Sequence, residues 1–567
     1  MKILNLHVDY IKFKPLKKAL KKIADLAEHE KKEVEIKEAL VVLIAVEKSD
    51  SDVEKVVEAL VKNVKEIAEQ VKTQNIVLYP YAHLSSDLGS PDLAVKVLDE
   101  AEKELKKHFK VTRAPFGYYK EFEMKVKGHP LSELSREIKV GGNEEEEKYN
   151  PKQLLREISK SKLDSSKLKQ NDHRILGQQM DLFSFNETAP GMVFWHNNGL
   201  IIYNELIKFW REVHRNAGYE EIRTPQVLDK RLWQISGHWE KYKENIFLTD
   251  YDKRNFAVKP MNCPGGLLIF KNKPKSYKDL PLKVGEMGNV HRCELSGVLG
   301  GLFRVIQFTQ DDAHVFCTEK QLEDEIVKVI ELVEYFYKDV FGFEYKVELS
   351  TRPEKRIGDD KMWDKAEKAL KNVLDKRKMK YKINEGDGAF YGPKIDFHLK
   401  DSLDRTWQCG TIQVDFSMPE RFELEYIDKD NSRKRPIMVH RAIYGSLERF
   451  IGILLEHTSG RLPTWLAPVQ VRVLSFTDRN KEYGEKILGV LKENIPELRV
   501  DSDFRSTTVP TKVKEAEIMR VPYIIVVGDK EEKENTLAVR IRGDKKIEKM
   551  SLDEFSEKLK VEIRERK

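Results

Sequence analysis

The sequence predicts a multidomain protein with an α/β unit at each end of the chain. Three observations lead there. At 567 residues the chain is too long for one hydrophobic core, and typical domain sizes give about four units. Residues 1–140 and the last hundred residues each alternate short apolar runs with amphipathic stretches, the pattern of strands and helices taken in turn. Between them, residues 141–190 break that pattern, with Gly141-Gly142 ahead of Glu144 to Glu147 and a polar stretch to Gln170, and read as a linker of marginal helix.

Taken in order, Leu4, Leu6, Val8 and Tyr10 alternate as a half-buried strand does. Ser51 and Glu54 form a capping box ahead of a helical stripe of Val56, Val57, Leu60, Val64 and Ile67. The longest apolar run, Ala39 to Val46, is too short for a bilayer and reads as a buried strand. Ile76 to Tyr79 form another strand, which enters the loop PYAHLSSDLGSP. The composition is globular again from Pro190 to about Ala467. The remainder returns to strands (RVLSF, PYIIVVGD, LAVRIRG) separated by helix. The expected units are therefore 1–140, a linker 141–190, 191–467 and 468–567.

Charged residues make up 35% with both signs mixed, and the net charge of +6 permits a polyanionic partner without demanding one. The opening MKILNLHVDYIKFKP carries scattered charges and no small-residue cleavage site, unlike a secretory signal. The four cysteines (Cys263, Cys293, Cys317, Cys409) form no CxxC pair and no disulfide framework. The chain reads as cytoplasmic, with reduced thiols and no membrane segment.

Cys263 in KPMNCPGG, His314 in FTQDDAH and His440 in MVHRAIYGSLERF are one thiol and two imidazoles. Three such ligands leave one tetrahedral position open, the layout of a catalytic rather than a structural zinc site. Spacing alone does not separate this from satisfied core residues, and Asp311-Asp312 taken alone reads as a solvated loop pair.

The surrounding strings resemble threonyl-tRNA synthetases, collinearly, from DHRILGQQMDLF (Asp172 to Phe183) to PTWLAPVQV. They include SGHWEKY, HRCELSG, GAFYGPKIDF and QCGTIQVDF, and the match covers nearly all of 172–567. The resemblance implies an α/β and α+β multidomain architecture, with a class II catalytic domain built on an antiparallel sheet and an α/β anticodon-binding domain. It places the ligands of one Zn2+ per catalytic domain on Cys263, His314 and His440. That zinc binds the amino group and hydroxyl of L-threonine, with Asp312 accepting the hydroxyl proton and Met261, Gln310, Tyr391 and Gln413 shaping the pocket. The chemistry is reasonable, because an apolar pocket discriminates only weakly between threonine and its near-isostere valine.

By the same resemblance, Arg292 in HRCE holds the α-phosphate of ATP, Glu294 reads adenine and Phe308 stacks beneath it. Arg449 lies by the γ-phosphate with Arg304 and Lys394 nearby, and Mg2+ accompanies the phosphates. His238 assists attack by the terminal ribose of tRNA(Thr). Pro225 ends the segment that builds a homodimer. Glu531 and Arg540 fall where the family contacts anticodon bases, a role that a plain surface pair would also mimic. One departure stands out: Gly266 replaces the histidine of the bacterial MNCPGH string.

Serine carries the same amino and hydroxyl groups as threonine and lacks one methyl, worth only ~1–3 kcal/mol of discrimination, so a second, editing site is expected. The HxxxH motif of bacterial editing domains is absent from residues 1–190. YPYAHLSSDLGSP, APFGYYKEFE and GHPLSELSR instead resemble the archaeal editing domain, which is related to D-aminoacyl-tRNA deacylases. The resemblance puts function on His83, Tyr119, Lys120 and Glu133, with the tRNA 2′-hydroxyl and a water performing hydrolysis of seryl-tRNA(Thr) and Lys120 helping to exclude threonine. The alternative is a tRNA-docking domain without editing activity. A class II synthetase for serine or proline fits the Cys263, His314, His440 and Asp312 set poorly. A catalytically dead paralogue would lack an ATP-clamping arginine or a metal ligand, and none is missing.

Overall fold

The computed structural model describes residues 1–138, apart from 21, 22, 24, 29 and 86, and residues 168–566, apart from 402–404. It forms two compact units, Met1–Gln153 and Leu154–Lys567.

The first unit is a six-stranded mixed sheet. Its path runs Lys110–Arg113, Asn75–Pro80, Val34–Ala45, Lys2–Lys18, Tyr118–Val126, and Glu133–Glu137 pairs with the other end of Lys2–Lys18. Leu40, Val42 and Ile44 pack on one face against Val56, Leu60 and Val64 of helix Val53–Gln70. Val41 and Leu43 pack on the opposite face with Leu6, Val8, Ile11 and Phe13. A strand covered on both faces reads as a continuous apolar run, which is why Ala39–Val46 does not alternate.

Two local expectations are corrected. A bulge between Val8 and Tyr10 shifts the register, so Ile11 and Phe13 continue the buried face begun by Leu4, Leu6 and Val8. Tyr10 leaves that face and donates its hydroxyl to Glu123. Helix Val53–Gln70 is capped by Asp52, whose carboxylate accepts Lys55 N–H, rather than by Ser51. A carboxylate one residue later caps as well as a hydroxyl and suits the positive end of the helix.

In the second unit, eight strands are ordered Tyr381–Asn384, Tyr345–Ser350, Lys394–Lys400, Thr406–Asp415, Ile437–Ala442, Gln307–Cys317, Leu282–His291 and Glu220–Glu221. Pairing is antiparallel except at the two outermost pairs. One face is buried by helices Asn197–Asn216, Leu322–Glu334, Asp360–Lys376 and Leu447–Thr458, through Leu206, Ile330, Leu370, Leu454 and their neighbours. Period-two alternation then sorts each central strand. Ala313 and Val315, Val439, and Ile412 and Val414 enter this core, so His314, His440 and Gln413 face the other way.

The linker expected over 141–190 lies outside the described residues as far as 167. Its last part is not a linker. Asp172 caps helix His173–Gln179, and Leu176, Met180, Leu182 and Phe183 are buried in the core of the second unit. Their spacing is too short to show periodicity, which is why composition alone misses them.

The C-terminal part is a five-stranded sheet ordered Val500–Asp503, Val471–Ser475, Tyr523–Val527, Leu537–Ile541, Ile547–Met550. The first three strands are parallel and the rest antiparallel.

Candidate active site

Three neighbouring strands set the site. His314 lies opposite His440, and His440 lies opposite Gln413, so the three form one row across the sheet. The two imidazole centroids are 5.0 Å apart. Cys263 opens helix Cys263–Lys271, which packs through Leu267 and Phe270 against Phe316 and Met438 on the same face. The ligand atoms of Cys263, His314 and His440 lie within 4.8 Å of one another, and all three residues are buried.

These residues fit a metal on grounds internal to the structure. His314 Nε2 is buried without a hydrogen-bond partner. An orphaned polar atom in the interior costs about 1–3 kcal/mol, so it points to a ligand. His440 Nε2 is 2.9 Å from Asp415 Oδ2, which leaves the other ring nitrogen as its ligand atom. Asp415 is itself fixed by the N–H groups of Ser417 and Met418, at 2.7 and 2.9 Å. A carboxylate holding a ligand histidine is the usual outer layer of such centres. Burial pushes the Cys263 thiol well up and the His314 imidazole well down, and raises Asp312 to about 6. A divalent cation inverts that local logic by favouring thiolate and carboxylate.

A cavity of about 490 Å³ opens on this cluster. Its wall brings together Met261, Cys263, Gln310, Asp312, Tyr391, Gln413 and His440 with Arg292, Glu294, Arg304, Phe308, Lys394 and Arg449. Arg292 Nε donates to Pro260 O at 3.2 Å, and its guanidinium lies 5.0 Å from the Phe308 ring. Ser446 caps helix Leu447–Thr458 by accepting Arg449 N–H. Arg449 then reaches Phe303 O at 2.9 Å and Gln408 O at 2.8 Å. Glu294 pairs with Arg304 at 2.9 Å, and Lys394 with Asp396 at 2.7 Å.

Two predicted residues stand behind the wall rather than in it. His314 is 2% exposed. His238 is fully buried, with Nδ1 2.8 Å from Ser236 Oγ and Nε2 2.8 Å from Met261 Sδ. Burial lowers its imidazole to about 3.

Sequence reasoning missed several supports. Asp415 is one; its only signal was its place in QVDF. Another is a buried triad, in which Lys259 Nζ lies 2.8 Å from Glu286 Oε1 and 2.9 Å from Thr224 Oγ1. Thr224 N–H also donates to Glu286. It pins the segment that runs on to Met261 and Cys263. Lys259 looked like any other lysine because its partners are far away in sequence.

In the first unit, His83, Tyr119 and Lys120 line one cavity of about 540 Å³. Lys120 Nζ donates to Pro115 O at 2.9 Å and Tyr118 O at 3.0 Å and lies 5.1 Å from the Tyr79 ring centre. Burial lowers its ammonium to about 8. Glu133 is not brought to that wall; it is exposed on Glu133–Glu137, opposite Leu6. In the C-terminal part, Glu531 accepts Gly528 N–H at 3.0 Å, and Arg540 Nε is buried without a partner.

Comparison with known proteins follows this division. Residues 1–138 match a family model described as the Archaea-specific editing domain of threonyl-tRNA synthetase. Residues 242–458 match the tRNA synthetase class II core domain (G, H, P, S and T), and residues 470–562 an anticodon binding domain. A threonine–tRNA ligase of Clostridium tetani is 56% identical over 395 residues, covering 70% of this chain and 61% of the relative. One of Carboxydothermus hydrogenoformans is 54% identical over 399 residues, covering 70% and 62%. The chain thus spans about three fifths of the length of the curated relatives it matches. Among solved structures, the RNA binding domain of threonyl-tRNA synthetase from Cryptosporidium parvum superposes with a TM-score of 0.67 at 40% identity. It is covered to 98%, against 69% of this chain. The Aeropyrum pernix protein ThrRS-1 gives a TM-score of 0.61 at 30% identity, covering 70% of this chain and 97% of that one. With the editing, core and anticodon segments each matched and a relative covered almost end to end, the chain belongs to the threonyl-tRNA synthetase family.

Proposed function

We propose that the chain activates L-threonine with ATP to threonyl-adenylate and transfers it to tRNA(Thr), and that its first unit hydrolyses seryl-tRNA(Thr). One observation carries the reading: Cys263, His314 and His440 converge, and Cys263 and His440 line, with Asp312, the same cavity that holds Arg292, Phe308 and Arg449.

Cys263, His314 and His440 would hold Zn2+, which when bound supplies ligation of the substrate amino group and side-chain hydroxyl. The chain's own residues do the rest. Asp312, raised by burial, is placed to accept the hydroxyl proton of threonine, a contact that valine cannot make. The step on ATP needs positioning and charge rather than covalent help from the protein. Arg292 and Arg449, tied down through their Nε atoms, present guanidinium groups to the phosphates, with Mg2+ alongside. His238, fully buried behind Met261 and kept neutral by that burial, would assist attack by the tRNA ribose indirectly, by positioning, rather than as its direct proton acceptor. Lys120, over Tyr79 and held by two carbonyls, forms the charged wall of the cavity assigned to editing. A homodimer and a cytoplasmic location belong to the same proposal, on the family resemblance alone.

ATP–pyrophosphate exchange with threonine, serine and valine tests the reading. Exchange with threonine, weaker exchange with serine and none with valine is the expected result. No exchange with any of them would overturn it. For the first unit, Lys120→Met should let seryl-tRNA(Thr) accumulate while threonine charging persists; an unchanged level of seryl-tRNA(Thr) would remove the editing assignment.

A further inference from the structure

We propose that His173, outside all three matched segments, is a positioning residue for ATP, acting through the turn Gly301–Phe303 on Arg449. The proposal rests on the ATP-binding reading of the cavity.

His173 is the first residue of helix His173–Gln179 and is 1% exposed. Its Nε2 accepts Leu302 N–H at 3.0 Å, and its Nδ1 lies 2.8 Å from Glu456 Oε1. An acceptor at Nε2 and a carboxylate at Nδ1 fix the neutral tautomer with its proton on Nδ1. The three side chains of Asp172, His173 and Glu456 are close enough to share a cation. Both ring nitrogens are already committed, however, so the cluster reads as a clamp.

The clamp closes on the site. Glu456 belongs to helix Leu447–Thr458, whose first turn carries Arg449. The His173 ring is 4.3 Å from that of Phe303, which lines the cavity. Phe303 O accepts Arg449 Nε at 2.9 Å. One imidazole therefore ties the turn that receives Arg449 to the helix that supplies it. The approach needs Gly301: its φ is +56°, and a Cβ there would come 2.3 Å from His173 Nε2.

The test uses the full chain and measures ATP and threonine binding by calorimetry, with exchange kinetics in parallel. His173→Ala should weaken ATP binding and raise KM for ATP roughly tenfold, the loss of a hydrogen bond between buried partners, with threonine binding unchanged. His173→Gln, which can accept from Leu302 and donate to Glu456, should restore most of the loss. Gly301→Ala displaces the turn while leaving the Glu456 bond, so it should reproduce the ATP defect even if His173→Ala does not fold. Unchanged ATP binding in these variants, equal losses for ATP and threonine, or no rescue by Gln would overturn the proposal. Because ATP binding is read directly, a chain that binds ATP in this pattern but never activates threonine would sink the functional reading and leave this one standing.

Discussion

His440 Nε2 lies 2.9 Å from Asp415 Oδ2 across two neighbouring strands, and the same carboxylate is held from below by two backbone N–H groups. This contact fixes which ring nitrogen of His440 faces Cys263 and His314. Asp415→Ala should lower zinc affinity about 10–100-fold, the usual cost of removing a carboxylate behind a ligand histidine. Competition with a chelator measures it. ATP binding should be unaffected, because Asp415 touches none of the phosphate-facing arginines.

Glu448 supplies a pH prediction. Burial raises its carboxyl to about 7, while Thr309 N–H at 2.9 Å and Ser446 Oγ at 3.1 Å donate to it. The folded pKa is above the unfolded one, so the fold favours the protonated form. That contribution is complete below about 4.5 and is lost as pH rises towards 7. Denaturant midpoints of the second unit should fall over that window in the native chain, and Glu448→Gln should flatten the fall. Identical slopes would contradict the assignment.

Lys120 has the opposite sense. Burial lowers its ammonium from 10.5 to about 8, so the folded first unit disfavours the charge. Its stability should rise as pH climbs from about 8 to 10.5, where the folded chain has released the proton and the unfolded chain has not. In Lys120→Met the rise should be absent. Calorimetric midpoints across that range decide it.

The glycines around the metal cluster separate by geometry. A Cβ at Gly266 would sit 3.6 Å from His314 Nδ1, an ordinary contact. Gly266→Ala within helix Cys263–Lys271 should therefore keep zinc and gain about 0.5–1 kcal/mol from helix propensity. At Gly288 a Cβ would meet Asn262 Oδ1 at 2.1 Å, and Asn262 is 1% exposed. Gly288→Ala should cost about 1–3 kcal/mol by overpacking and loosen the loop bearing Cys263. Chemical denaturation with metal analysis reads both.

Much of this was legible in the sequence because it is periodic or local. Gln310, Asp312 and His314 alternate along one strand, so a single face must carry all three once Ala313 and Val315 are inside. Met261, Arg292 and Arg449 sit in strings whose flanks identify them. What escaped depends on distant pairings. The bulge at Val8–Tyr10 reverses strand parity without altering the residue pattern, and Asp52 rather than Ser51 caps the next helix because the chain turns one residue later. Asp415, Lys259 and His173 acquire meaning only from partners on other elements. Residues 168–190 looked like linker because their few apolar side chains fill gaps in a core built elsewhere. Glu133 was joined to His83 by family strings alone, and the sheet sets it against Leu6 instead.

A metal held by Cys263, His314 and His440 would select the amino acid by its hydroxyl. The direct measurement is pyrophosphate exchange with threonine and with valine on protein of known zinc content, before and after stripping and reloading the metal. Exchange with threonine should track zinc occupancy, vanish in the stripped chain and return on reloading, with valine inactive throughout. Threonine exchange that persists without zinc, or valine exchanging as readily as threonine, would contradict it.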